Sequence, residues 1–181
     1  LEAFAGPAVV PWSGAVAPRH DNAALANPPR QTESSQLNSR LGAVLRAVVE
    51  GLECDGADFY TLDEATTCLE LRVTHHIAHR EPGTPKRPLA KALADVAAMA
   101  GSAIVLEDEA AMADWPVPVW CGAAVCLPVA SDRTVYGSLW LYHSTPRRFS
   151  DNQVQMAEVV AGRLAAELEI ETLRRNLSRG R

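Results

Sequence analysis

The chain has 181 residues, 48% hydrophobic and 22% charged, with 17 Lys and Arg against 22 Asp and Glu for a net charge of −5. This composition suits one folded domain with extensions and excludes a mostly disordered chain. The negative balance gives no electrostatic basis for binding nucleic acid or an anionic membrane, and no run of about 18 apolar residues is there to span a bilayer.

The chain opens on Leu1 rather than Met and carries no basic-then-apolar leader. It is therefore expected to be a piece of a longer cytoplasmic protein, without a signal peptide. Its four cysteines, Cys54, Cys68, Cys121 and Cys126, form no C-x-x-C pair and are read as reduced thiols.

Residues 1–33 hold five of the twelve prolines and little periodicity, and are expected to form an extended leader or linker, with Phe4, Val9, Val10 and Trp12 available to dock. From Leu37 the spacing of Leu41, Val44, Leu45, Val48 and Leu52 predicts a helix with one apolar face. Ala57 to Leu62 and Cys68 to His75 predict a hairpin, with Leu69, Leu71 and Val73 on one face. Residues 80–88 read as a loop rich in proline. Pro88 is placed in the first turn of a second helix whose apolar face is Leu89, Leu93, Val96 and Ala100. A short strand over Ala103 to Leu106 follows. The run from Trp115 to Trp120, broken by Pro116 and Pro118, cannot be a regular helix. Two more strands, Ala123 to Ala130 and Thr134 to His143, form a hairpin. Ser150 and Gln153 then supply a capping box, with Phe149 and Val154 as a staple, for a long helix to about Leu177. The order of elements predicts an α+β fold with an antiparallel sheet.

Strand alternation separates two faces. Val135, Gly137, Leu139 and Leu141 point one way with Val125, Leu127 and Val129, giving an aliphatic face suited to helix packing. Tyr136, Ser138, Trp140 and Tyr142 point the other way with Ala124, Cys126 and Pro128. Small residues beside rings with polar tips suit either a ligand pocket or a filled core. No acidic or basic cluster falls clearly on that face, which disfavours a strongly charged ligand. At the far end, Ile170, Leu173 and Leu177 continue an apolar spacing past the expected end of the domain, and Glu171 with Arg175 can form an i,i+4 pair.

The run Ala123-Ala124-Val125-Cys126-Leu127-Pro128-Val129, then Gly137-Ser138-Leu139-Trp140-Leu141, then Pro146-Arg147-Arg148-Phe149 before a long helix, resembles the GAF domain, a sensor and dimerisation module of signalling proteins. The likeness covers about residues 35–175. It implies a profilin-like six-stranded antiparallel sheet with the terminal helices on one face and a ligand pocket on the other. The domain would span residues 34–177, with a short tail at 178–181. By this resemblance the candidate pocket residues are Tyr60, Trp115, Trp120, Cys126, Ser138, Trp140 and Tyr142. The resemblance further implies a homodimer through the terminal helices, with Leu41, Ile170, Leu173 and Leu177 as candidate interface residues, and an output domain elsewhere in the protein.

The chemistry weighed beside this is a ligand-free dimerisation module, or a haem or redox sensor. His75, His76 and His79 lie close in sequence but read as a solvated polar loop rather than a metal site. Haem is disfavoured because His143 falls on the aliphatic-face parity. The strand from Tyr136 to Arg147 is similar to a phytochrome GAF strand, with His143 matching one of its histidines. The Cys-His pair that attaches bilin in related photoreceptors is missing, so bilin is not expected. Some GAF domains reduce free methionine sulfoxide, but their cysteine arrangement does not map onto Cys121 and Cys126, so no catalytic residue is assigned. No cofactor is assigned beyond an unidentified small molecule.

Overall fold

The computed structural model describes residues 29–77 and 82–179; Phe4, Val9, Val10, Trp12 and His79 lie outside them. In chain order the elements are α1 (Pro29–Gly51), β1 (Gly56–Leu62), β2 (Cys68–His76), β3 (Lys86–Pro88), a 3-10 turn (Leu89–Lys91), α2 (Leu93–Met99), β4 (Ile104–Leu106), α3 (Glu109–Met112), β5 (Ala123–Ala130), β6 (Val135–His143) and α4 (Asp151–Arg179). The six strands form one sheet in the order β3-β2-β1-β6-β5-β4, every pairing antiparallel. This is the α+β architecture that the order of elements predicts.

The helix α1 starts at Pro29, earlier than the periodicity from Leu37 predicts; proline at a first helical position costs no hydrogen bond, because that N–H has no intrahelical acceptor. The start of α4 follows the capping box. The Gln153 N–H donates to the Ser150 hydroxyl at 3.3 Å, and the Ser150 N–H donates back to the Gln153 side chain at 3.0 Å. At 29 residues α4 is about 43 Å long.

One face of the sheet is covered by α1 and α4. Leu37, Leu41, Leu45, Val48, Val49 and Leu52 of α1 and Ala157, Ala161, Leu164 and Ala165 of α4 bury against Ala57, Phe59, Val125, Leu127, Val129, Leu139 and Leu141. Each buried leucine contributes roughly 1.5–3 kcal/mol of transfer free energy. The two helices are also tied by charge. Arg40 reaches Glu167 at 3.0 Å and Glu171 at 3.6 Å, and those glutamates take i,i+4 pairs from Arg163 and Arg175. Leu41 is fully buried here between helix and sheet. The expectation that it contacts a second copy is therefore corrected: no partner can reach it.

Two bulges change which side chains share a face. The register of β1 with β2 shifts between Phe59 and Tyr60, whose partners are Val73 and Leu71. The extra residue turns Val73 to the helix side, while Leu69 and Leu71 stay on the opposite side. A second shift, between Val129 and Ala130, skips Tyr136, which packs on the helix side rather than with Ser138 and Trp140. Gly137 makes that bulge feasible. Its φ is +153°, and any Cβ there would overlap the Tyr60 carbonyl oxygen.

The other sheet face is covered by α2, residues 82–85 and 89–92, and the irregular run 113–120. Part of 80–88, read as loop from sequence, is the edge strand β3, and Pro88 ends it and caps the 3-10 turn Leu89–Lys91 rather than opening α2. The buried face of α2 also differs from the leucine spacing. Leu93 and Val96 are exposed, and Ala94, Asp95 and Ala98 are buried. Alanines let the helix approach the sheet closely, and Asp95 is held there by the contacts described next.

Candidate functional site

The strands β1 and β6 place Asp58 opposite Trp140, Tyr60 opposite Ser138 and Gly56 opposite Tyr142. These side chains meet the ends of β2 and β3 and the inward face of α2. The result is a closed polar network around two carboxylates, Asp58 and Asp95, both fully buried.

Asp95 accepts three side-chain hydrogen bonds. The Ser138 hydroxyl and the Trp140 indole N–H each donate to Oδ1 at 2.6 Å, and Arg87 Nη2 donates to Oδ2 at 2.7 Å. The same Nη2 donates to the Pro116 carbonyl at 3.0 Å. The Arg87 guanidinium lies 5.6 Å from the Trp140 ring and 5.8 Å from the Tyr60 ring, within cation–π range.

Asp58 accepts four hydrogen bonds from described residues. The Thr74 hydroxyl at 2.6 Å and His76 Nε2 at 3.0 Å meet Oδ1; the Gly83 N–H at 3.0 Å and the Tyr142 hydroxyl at 3.2 Å meet Oδ2. Donors from two strands and a loop thus occupy both oxygens of this buried carboxyl group. The rings of His76, Tyr142 and Trp140 run in a nearly parallel ladder, with centroids 6.2 Å and 6.1 Å apart. The Tyr60 hydroxyl donates to the Thr84 carbonyl at 3.2 Å. A Cβ at Gly83 would overlap both that hydroxyl and Asp58, so the 82–85 segment is pressed directly onto the site.

Burial, reinforced by Asp58, pushes both phenols upward from their ordinary value: Tyr142 sits well above it, and Tyr60 is raised as well. Both therefore remain hydrogen-bond donors. Burial, then Asp95, drives the Cys126 thiol well up, and burial takes Cys54 up to about 11. Neither is held as the thiolate that nucleophilic sulfur chemistry uses. Among the described residues no group of three His, Cys, Asp or Glu side chains is arranged to hold a metal ion.

The structure thus brings together five of the expected pocket residues: Tyr60, Cys126, Trp140 and Tyr142 in one buried cluster, and Ser138 beside them through its bond to Asp95. Trp115 is half-buried against the edge of that cluster. Trp120 departs from expectation: it is 72% exposed and borders a separate surface groove with Glu109, Cys121 and Pro146, because the proline-broken run turns it outward. His76 is not part of a solvated loop, since its side chain is 7% exposed and bound to Asp58. The sequence reading also placed no charge cluster on this face, and Asp58, Arg87, Asp95 and His76 correct it. Asp58 had a faint signal, a charge on the parity of Tyr60 inside a buried strand. Arg87 and Asp95 had none, because the ion pair depends on how β3 and α2 dock.

The opposite side of the molecule exposes a second feature. Met156, Val159, Arg163, Ala166, Ile170, Leu173 and Leu177 follow one another at alternating spacings of three and four along α4. The apolar members at both ends are strongly exposed: Val159 is 74%, Leu173 58% and Leu177 75% accessible. Beside Val159, an apolar groove of about 380 Å³ runs between α1 and α4, lined by Val44, Ala47, Leu52 and Met156 among others. No described helix is long and apolar enough to cross a membrane.

A family model, the GAF domain, matches residues 36–168. No curated protein matches the chain. Among solved structures, the GAF-B domain of DevS from Mycobacterium smegmatis is 18% identical with a TM-score of 0.64, covering 80% of this chain and 98% of that one. A type II free methionine-R-sulfoxide reductase from Thermoplasma acidophilum is 16% identical with a TM-score of 0.64, covering 75% and 94%. The blue-light absorbing form of the PixJ GAF domain from Thermosynechococcus elongatus is 14% identical with a TM-score of 0.66, covering 81% and 94%. At these identities the likeness is one of fold, a fold that serves both sensory domains and a reductase.

Proposed function

The chain belongs to the GAF domain family, whose members are sensory and regulatory modules of signalling proteins; on that footing we propose that it works as a paired regulatory domain. Two copies join along α4, a small molecule is received on the far face of the sheet, and an attached output domain reads the geometry of the helix pair.

One observation carries the pairing: the exposed seam from Met156 to Leu177, about three heptads of a/d spacing on a helix that outruns the sheet. Arg163 is the one charged residue in that seam, and a single polar seam position fixes register in such pairs. The sheet offers a route between the faces. On β6, Leu139 and Leu141 pack under the helices while Ser138, Trp140 and Tyr142 join the network, so a displacement of that strand moves both.

The closed, internally bonded state of the network favours a second reading, a dimerisation module without a ligand. The buried Cys126 and Cys54 thiols support a regulatory rather than a catalytic role. A thermal-shift screen of small metabolites separates the first two readings: saturable stabilisation supports reception of a ligand. For the pairing, Leu173→Asp/Leu177→Asp is expected to turn a dimeric native mass into a monomeric one with the helical circular-dichroism signal kept. A dimer that survives the double change moves the interface elsewhere.

A further inference from the structure

We propose that Arg87 is a tethered occupant of the binding site, and that the domain's ligand carries a planar cation, a guanidinium or amidinium, that displaces it. This rests on the reading of the network face as the place where a small molecule is received.

The site around Arg87 has the parts that recognise such a group. There is a fully buried carboxylate, Asp95, at 2.7 Å; a backbone carbonyl, that of Pro116, at 3.0 Å; and two aromatic rings, Tyr60 and Trp140, over whose faces the guanidinium carbon lies at 5.8 Å and 5.6 Å. Planar cations are held by this combination of carboxylate and ring faces. A second buried carboxylate, Asp58, is bonded by the Tyr142 hydroxyl and, among the described residues, takes its backbone donor from Gly83, four residues before Arg87. The segment from Gly83 to Arg87 therefore fills the site as a ligand would, an N–H on one carboxylate and a guanidinium on the other.

The occupant fits imperfectly. Arg87 is 7% exposed, yet its hydrogen bonds to Asp95 and Pro116 both come from Nη2, while Nε is buried with no hydrogen-bond partner among the described residues. The tethered fork meets Asp95 through Nη2 alone, whereas an untethered guanidinium is free to turn two parallel N–H groups toward a carboxylate. Release is local. The strand β3 is three residues long, lies at the outer edge of the sheet, pairs with Cys68 to Glu70, is flanked by single backbone bonds from the Leu71 N–H to the Pro85 carbonyl and from the Leu89 N–H to the Thr67 carbonyl, and ends in Pro88. Withdrawing Arg87 opens the site without breaking the central strands.

The test is a binding titration of agmatine and methylguanidine, with putrescine and glutarate as controls, followed by thermal shift and intrinsic tryptophan fluorescence. The wild-type domain is expected to show saturable binding of the two guanidinium compounds only. Arg87→Gln removes the competitor, so its affinity rises roughly tenfold if the closed form holds about nine-tenths of the population. Should Arg87→Gln fold poorly, Arg87→Lys, which keeps the charge but loses the fork, is expected to show a smaller gain. Asp95→Asn is expected to abolish binding in both backgrounds. The proposal is overturned if putrescine or glutarate binds as well as agmatine, or if the affinity for agmatine is the same with and without Arg87. A neutral or acidic metabolite that stabilises the wild type but not Ser138→Ala would leave the ligand site standing and remove the cation class. No saturable binding of any compound to either background would remove both.

Discussion

Replacing Asp95 with Asn tests whether the network on the far sheet face is the organising feature of that half of the molecule. The substitution keeps size and shape but removes one charge. In one amide orientation the oxygen still serves the Ser138 hydroxyl and the Trp140 indole, and the NH₂ then faces Arg87 Nη2 across 2.7 Å, donor against donor. In the other orientation Arg87 is served and the indole N–H loses its acceptor. Either way a buried donor is stranded, and the Arg87 guanidinium, 8% exposed at its side chain, loses its counter-charge. Breaking one partner of a buried ion pair costs about 3–5 kcal/mol. For a domain of this length that lowers the melting temperature by roughly 6–20 °C. Urea unfolding followed by tryptophan fluorescence measures the loss. In Arg87→Met/Asp95→Asn the stranded guanidinium is gone, so the double variant is expected to lose less than the sum of the two single changes. A loss below about 1 kcal/mol in Asp95→Asn, or strict additivity in the cycle, would refute the claim that the pair is buried and coupled.

Other outcomes follow from the same geometry. The raised Tyr142 phenol keeps its proton in the folded state while the unfolded chain begins to lose it near pH 10, so stability is complete below that pH and falls as pH rises, by about 1.4 kcal/mol per unit for each such group. Tyr142→Phe is expected to lose about 1 kcal/mol at neutral pH through its bond to Asp58, and to show a shallower decline above pH 10 in pH-dependent urea unfolding. An unchanged alkaline slope would place the ionising group elsewhere. Gly137→Ala forces a Cβ into the Tyr60 carbonyl at a φ of +153°, and is expected to lose at least about 1–3 kcal/mol in the same unfolding assay. A neutral result there would deny the close approach of β6 to β1.

Much of the fold was legible because local patterns and tertiary packing agree. The heptad-like leucines of α1, the Ser150–Gln153 box and the alternation of Leu139 and Leu141 against Ser138 and Trp140 each point to the arrangement that forms. The reading went astray where one residue shifts a whole face. The bulges at the Phe59/Tyr60 and Val129/Ala130 steps carry Val73 and Tyr136 to the helix side, and a period-two pattern has no means of anticipating an inserted residue. In α2 the apolar spacing of Leu93 and Val96 pointed away from the face that docks, which is that of Ala94, Asp95 and Ala98, with Asp95 bonded to Arg87, Ser138 and Trp140. The central site was half legible. Its rings and small residues lie on strands whose parity is readable, whereas its charges come from an edge strand and a short helix that meet only in the folded chain. Leu41 and Leu173 share an amphipathic spacing, and only the folded chain separates the core leucine from the exposed one.

Pairing along α4 is tested most directly by disulfide trapping of Leu177→Cys in a Cys68→Ser background, the other three cysteines being buried. In a parallel two-fold pair the same seam residue of two copies meets itself, so mild oxidation is expected to yield a covalent dimer rapidly at Leu177→Cys and slowly at the exposed control Val135→Cys on the far end of β6. Equal, slow trapping at both positions would contradict the account.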